Sequence, residues 1–253
     1  MARSGYFDLN YCPGQGDIVV CFYMEPAEGV CLEDAAESVA AESSIGTWTD
    51  VTTQKPGIME MLGPRIFEVD EAKKIVRIAY PVDLFEPGNM PQIYSSVAGN
   101  IFGMKSVANL RIADIGFPKS VVKSFKGPKY GIAGIRKLLK VDGRPLLGTI
   151  IKPKLGLDAE DHSRVAYDAW AGGCDIVKDD ENLTNQRFNP FGERVIKTLK
   201  MRDRCENETG EKKIYMPNVS AEAEEMINRA EFVKENGGEY VMVDVVTVGF
   251  SGL

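Results

Sequence analysis

Between residues 146 and 246 one pattern repeats, and it restricts the fold more than any other feature of the chain. An apolar run at 146–152 enters Pro153. Asp158 follows as an N-cap before a helix carrying Val165, Ala166, Ala169 and Trp170 on one face, and Gly172-Gly173 stops it. Residues 174–178 read as the next strand, 191–204 as the next helix and 213–219 as a third strand. Ser220 is the cap expected for a helix bearing Met226, Ile227, Ala230 and Val233. That helix also stops at a glycine pair, Gly237-Gly238, and 240–246 reads as a fourth strand. Repeated strand–helix–strand units require right-handed crossovers and a parallel sheet. A doubly wound sheet and a TIM barrel both satisfy this. No G-x-G-x-x-G follows any of these strands, so the barrel is the expected form.

The first part has a different grammar. Strands are expected at 17–24, 47–51, 65–69, 75–80 and 110–115, with helices at 31–42 and 92–98. The strands at 65–69 and 75–80 are joined by a polar, hairpin-like connection beginning Asp70-Glu71-Ala72-Lys73. Without a regular βα alternation this is an α+β domain, expected over 1–140, with KVDGRP as a linker into the barrel portion at 141–253. The opening MARSGYFDLN has no apolar h-region, no run is long enough to span a bilayer, and the five cysteines form no C-x-x-C pair. A reducing, cytoplasmic setting follows as the expectation. With 30 basic against 37 acidic side chains the net charge is −7, which argues against nucleic acid as a partner.

The chemistry gathers at the predicted strand ends. Lys152 and Lys154 lie in GTIIKPKLG, and alternate residues of an extended segment point the same way. Two ammonium groups at the C-terminal face of a barrel suit an anionic, phosphorylated substrate; a pair of solvated lysines is the plainer reading. The second strand ends in KDDEN at 178–182. Three carboxylates in a row repel one another unless a cation sits among them, and Asp180 and Glu181 are hard oxygen ligands suited to Mg²⁺. Lys178 is either an ion-pair partner or, once carbamylated by CO₂, a third anionic donor. His162, the one histidine, is expected to be solvated or to cap its helix, and 206–213 (ENETGEKK) to be a solvated loop.

GTIIKPKLGL followed by GGCDIVKDDEN resembles the large chain of ribulose-1,5-bisphosphate carboxylase/oxygenase (RuBisCO), and AAESSIGTW at 40–48 and SVAGNIFG at 96–103 are similar to that family's N-domain signatures. The texture is closest to the archaeal form III or II/III groups. The resemblance implies a ferredoxin-like α+β domain followed by the first half of a TIM (β/α)8 barrel. It also implies Mg²⁺-dependent carboxylation and oxygenation of ribulose 1,5-bisphosphate, with CO₂ and O₂ as co-substrates and 3-phosphoglycerate as product. Lys178 would be the carbamylated lysine, holding Mg²⁺ with Asp180 and Glu181 and taking the C3 proton to form the enediolate. Lys152 would be the general acid/base, and Lys154 would bind substrate. Glu42, Thr47, Trp48 and Asn100 would reach the substrate in trans, in a homodimer or larger homo-oligomer whose subunits share the site. Ile45 and Ile150 stand where other members carry Thr.

The family also requires a His-Arg pair, a second His and a loop lysine on later strands, and one histidine cannot supply them. A portion of a longer protein, without carboxylase turnover when isolated, is therefore expected. The alternatives are a RuBisCO-like enolase or isomerase acting on another sugar phosphate, and a non-catalytic fragment.

Overall fold

The computed structural model describes residues 5–253 except 48–52, 54 and 56. It divides into two compact units, Met1–Gly127 and Pro128–Leu253. The first is organised by β1 (Asp17–Pro26), whose alternate residues Ile18, Val20, Phe22 and Met24 are all fully buried. Period-two burial of this kind presents one apolar face to a helix layer. That layer begins with α1 (Leu32–Glu42), which buries Leu32, Ala35, Ala36, Val39 and Ala40, one stripe at helical spacing. Its N-cap is Cys31, whose Sγ accepts from Asp34 N.

A short helix, α2 (Ile58–Leu62), precedes the hairpin of β2 (Arg65–Asp70) and β3 (Ile75–Pro81). Asp70 Oδ1 accepts from Lys73 N in the connection, at 3.0 Å, and Lys74 takes the left-handed backbone that closes it. Helix α3 (Met90–Val97) is capped by Asn89 and buries Ile93 and Val97. The 3₁₀ turn Asn100–Gly103, β4 (Val107–Gly116) and α4 (Lys119–Ser124) complete the unit. The sheet order is β2-β3-β1-β4 and every pairing is antiparallel. Reading that order from β4 gives the split βαβ arrangement of ferredoxin-like domains. The strand expected at 47–51 falls mostly outside the described residues, and Thr47 belongs to neither helix nor strand.

The units divide at Gly127-Pro128, ahead of the linker expected near residue 140. Helix α5 (Ile132–Leu139) belongs to the second unit because Arg136 Nη1 donates to the carbonyls of Val141 and Arg144. The supposed linker is thereby folded back onto α5. Three short strands follow, β5 (Gly148–Ile150), β6 (Ile176–Lys178) and β7 (Ile214–Met216), parallel and adjacent in that order. They are connected by α6 (Ala159–Ala171), capped by Asp158, and α7 (Phe191–Thr209). Trp170, Val177, Val195, Leu199 and Tyr215 form the core between helices and sheet. Gly172-Gly173 ends α6 as expected, with Gly173 at φ +104°, a conformation costly for any side chain.

Three local expectations fail. Ser220 does not cap α8 (Ala223–Glu235), because its Oγ accepts from Asp244 N at 2.8 Å; Glu222 stands at the cap without a side-chain bond. The strand expected at 240–246 is reduced to a single parallel bridge, Met242 to Asn218. Asp244 then accepts from Val246 N and starts the short helix α9 (Val245–Val248), local capping that outweighs the β preference of Val-Val-Thr-Val. Finally, 206–209 extend α7, and Lys213 is buried with its Nζ on the carbonyl of Cys174 and on Glu211.

Candidate active site at the strand ends

Parallel pairing brings the two lysine-bearing segments to one end of the sheet. Ile150 of β5 is in register with Lys178 of β6, and Lys178 with Met216 of β7. Lys152 lies two residues past Ile150, on the same side of its strand. The concave face is lined by Thr149, Ile150, Lys152, Ile176, Lys178 and Met216, around a cavity of about 470 Å³.

At its rim stand two ion pairs. Lys152 Nζ is 2.5 Å from Asp180 Oδ2, and Lys178 Nζ is 2.7 Å from Glu181 Oε1. Lys178 also donates to the carbonyl of Asp179, and Lys154 Nζ donates to Asn182 Oδ1 at 3.3 Å. Burial would raise the Asp180 carboxyl. The Lys152 ammonium and the Asn182 N–H more than offset it, so Asp180 titrates below the usual carboxylate range. The bond from Lys178 does the same for Glu181. Two carboxylates and two ammoniums thus compensate one another. Among the described residues no group of three or more His, Cys, Asp or Glu side chains converges as a metal site.

The third carboxylate of the run turns the other way. Asp179 is wholly buried, and its Oδ1 accepts from Tyr215 Oη at 2.7 Å and His162 Nε2 at 3.0 Å. Its Oδ2 accepts from Arg194 Nε and Asn218 N, both at 3.1 Å. Burial pushes this carboxyl upward, but the bond from His162 and the charge of Arg194 prevail and hold it below its ordinary value. His162 is therefore neither solvated nor a cap: it is 1% exposed and serves this network. Its position offered a signal, since 162, 166 and 169 share the helix face that meets the sheet.

Of the expected site residues, Lys152, Lys154, Lys178, Asp180 and Glu181 converge. Glu42, Thr47 and Asn100 belong to the first unit. Glu42 is the last residue of α1, with its Oε2 buried and unbonded among the described residues, and Asn100 is exposed at the start of the 3₁₀ turn. Trp48 lies outside the described residues.

A parallel βαβ sheet with lysines and carboxylates at its C-terminal edge, preceded by a ferredoxin-like unit, defines the class: a two-part α/β chain with an enzyme-like strand-end site. Residues 5–121 match the family model of the ribulose bisphosphate carboxylase large chain, N-terminal domain, and residues 131–253 match that of its catalytic domain. The ribulose bisphosphate carboxylase of Methanocaldococcus jannaschii is 52% identical over 98% of this chain, and that of Methanosarcina mazei 51% over 99%. The chain spans 59% of the length of each. Among solved structures, the octameric RuBisCO of Pyrococcus horikoshii superposes with a TM-score of 0.91 at 45% identity, covering 98% of this chain and 58% of that one. The dimeric archaeal RuBisCO of Hyperthermus butylicus gives 0.91 at 43%, with the same coverage. The chain belongs to the ribulose bisphosphate carboxylase large-chain family.

Proposed function

We propose that this chain builds the Mg²⁺ site of a carboxylase that adds CO₂ or O₂ to ribulose 1,5-bisphosphate, on a (βα) barrel frame begun by β5, β6 and β7. One observation carries the reading. The Lys178–Glu181 pair stands beside the Lys152–Asp180 pair at the C-terminal ends of adjacent parallel strands. As an ammonium, Lys178 cannot bind a cation. Attack of its neutral amine on CO₂, with loss of a proton, turns a positive group into an anionic oxygen donor. Glu181 is then released from its ion pair, and Lys178, Asp180 and Glu181 supply three hard donors, the set that suits Mg²⁺. When bound, Mg²⁺ supplies Lewis-acid stabilisation of a developing oxyanion.

The remaining work falls to the chain's own side chains. Lys152, 60% exposed at its side chain, is free to swing from Asp180 to substrate and exchange protons there as general acid/base. Lys154 offers a second cation for an anionic substrate. Glu42, Thr47, Trp48 and Asn100 would contact substrate from the first domain of another copy, in a homodimer or larger homo-oligomer. The dimeric and octameric states named for the archaeal relatives support that assembly.

The test uses the protein encoded by the complete reading frame and its Lys178→Met variant. Incorporation of labelled CO₂ into acid-stable product and exchange of the substrate C3 proton are both expected in wild type and in neither case for the variant. A variant that retains both activities refutes the role of Lys178. Proton exchange without CO₂ incorporation in wild type replaces the reading with an enolising isomerase.

A further inference from the structure

Just beyond β7 an asparagine reaches across to the neighbouring strand end. Asn218 is fully buried, and its main-chain N–H is already committed to Asp179 Oδ2. Its Oδ1 accepts from Ser220 N at 3.0 Å. Its Nδ2 faces three carbonyl oxygens, those of Glu181 at 3.0 Å, Leu183 at 3.2 Å and Asp180 at 3.4 Å. An amide nitrogen has two protons, so three acceptors share them. All three carbonyls belong to the loop that carries the Asp180 and Glu181 carboxylates. That loop is thus held at its root by Asp179 and from the side by Asn218, both without access to water.

We propose that Asn218 is a positioning residue, which fixes the two carboxylates for a divalent cation by clamping the main chain that bears them. The inference rests on the proposed function above. Ligands must be held to within about 0.5 Å for a site to work, and a loop with free carbonyls does not hold them. An amide is well matched to this role, because its donors meet the three carbonyls while its own carbonyl is pinned by Ser220, which fixes its orientation. Outer partners of metal ligands typically contribute about 10–100-fold in metal affinity.

The experiment is a titration with Mn²⁺ at saturating bicarbonate, followed by electron paramagnetic resonance. It compares wild type with Asn218→Ala, Asn218→Ser and Val233→Ala, the last a truncation of a buried side chain on α8, chosen to lower stability outside the 180–183 loop. Asn218→Ala is expected to weaken Mn²⁺ binding about 10–100-fold, with Asn218→Ser between it and wild type. Val233→Ala should melt earlier yet bind as wild type does. Should Asn218→Ala not be recovered folded, the Ser variant decides by the same comparison. Binding within twofold of wild type in the Asn218 variants, or an equal loss in Val233→Ala, overturns the inference alone. Wild type that binds no Mn²⁺ overturns the proposed function and this inference together.

Discussion

Asp179→Asn is the sharpest probe of how the second unit holds its strand ends. The side chain keeps its shape but loses its charge, opposite an Arg194 that is itself fully buried. One carboxylate oxygen becomes an NH₂ group that must face two donors, either Tyr215 and His162 or Arg194 and the Asn218 N–H. Arg194 retains its bonds to the carbonyls of Asn189 and Thr184, so its guanidinium is still hydrogen-bonded but no longer neutralised. Four bonds to a charged acceptor, at about 1.5–3 kcal/mol each, would sum to more than such substitutions cost, because the survivors relax. Removing one partner of a buried ion pair costs about 3–5 kcal/mol. At roughly 3 °C per kcal/mol for a unit of this size, the melting temperature should fall by about 9–15 °C.

The assay is urea unfolding followed by emission of Trp170, which is fully buried in the second unit with its Nε1–H on the carbonyl of Ile214. A Trp48→Phe background isolates its signal, since the chain has two tryptophans. Arg194→Met should cost a similar amount, and the double variant clearly less than the sum, because each single change strands the other charge. The pH dependence fixes the sign. The native carboxyl titrates below its unfolded value, so its contribution is complete above about pH 4 and fades as pH falls through the lower native value. Asp179→Asn should therefore be less acid-sensitive than wild type in that window. A loss under about 1 kcal/mol, with an additive double variant, would refute the buried ion pair as the anchor of this loop.

Two further predictions concern the same unit. Arg144 holds the buried Asp175 in a two-pronged pair at 2.7 and 2.8 Å, and Leu147 N also donates to Asp175, so this carboxyl ties down the chain entering β5. The bond from Arg144 holds Asp175 below its usual range. Arg144→Ala should lower stability at pH 7, with the gap to wild type closing as pH falls below about 4 in parallel urea titrations. Lys152→Met, if the proposed chemistry holds, should lower kcat about 10²–10⁴-fold with a smaller change in KM; an unchanged kcat removes Lys152 from proton transfer.

Much of the first unit was legible because its patterns are long. β1 contains a seven-residue run of β-branched, aromatic and other apolar residues, and α1 is rich in Ala and Glu over three turns. In the second unit the strands shrink to three residues each, too short for alternation to register, so their apolar runs together with the helices and glycine stops mark the βαβ order. At 240–246 a strand is expected and a single bridge at Met242 forms, because β-branched composition cannot reveal that Asp244 caps a turn there. The helix face on which His162 lies is legible, but its partner Asp179 is 17 positions away.

The acidic run divides its work among three different counter-charges. Three adjacent carboxylates call for a cation, but they do not have to share one. An extended segment alternates its sides, so 176, 178 and 180 face one way and 177 and 179 the other. Ile176 and Lys178 indeed line the concave face, while Val177 packs among the helices and Asp179 continues toward them. Each carboxylate then meets its own counter-charge: Asp179 takes Arg194 from α7, Asp180 takes Lys152 from the end of β5, and Glu181 takes Lys178. Only the last two are near enough to the concave face to change partners when a substrate or cation arrives. The buried pair cannot do so without exposing a charge to an apolar core, which separates the carboxylate that holds the loop from the two that the proposed function assigns to the cation.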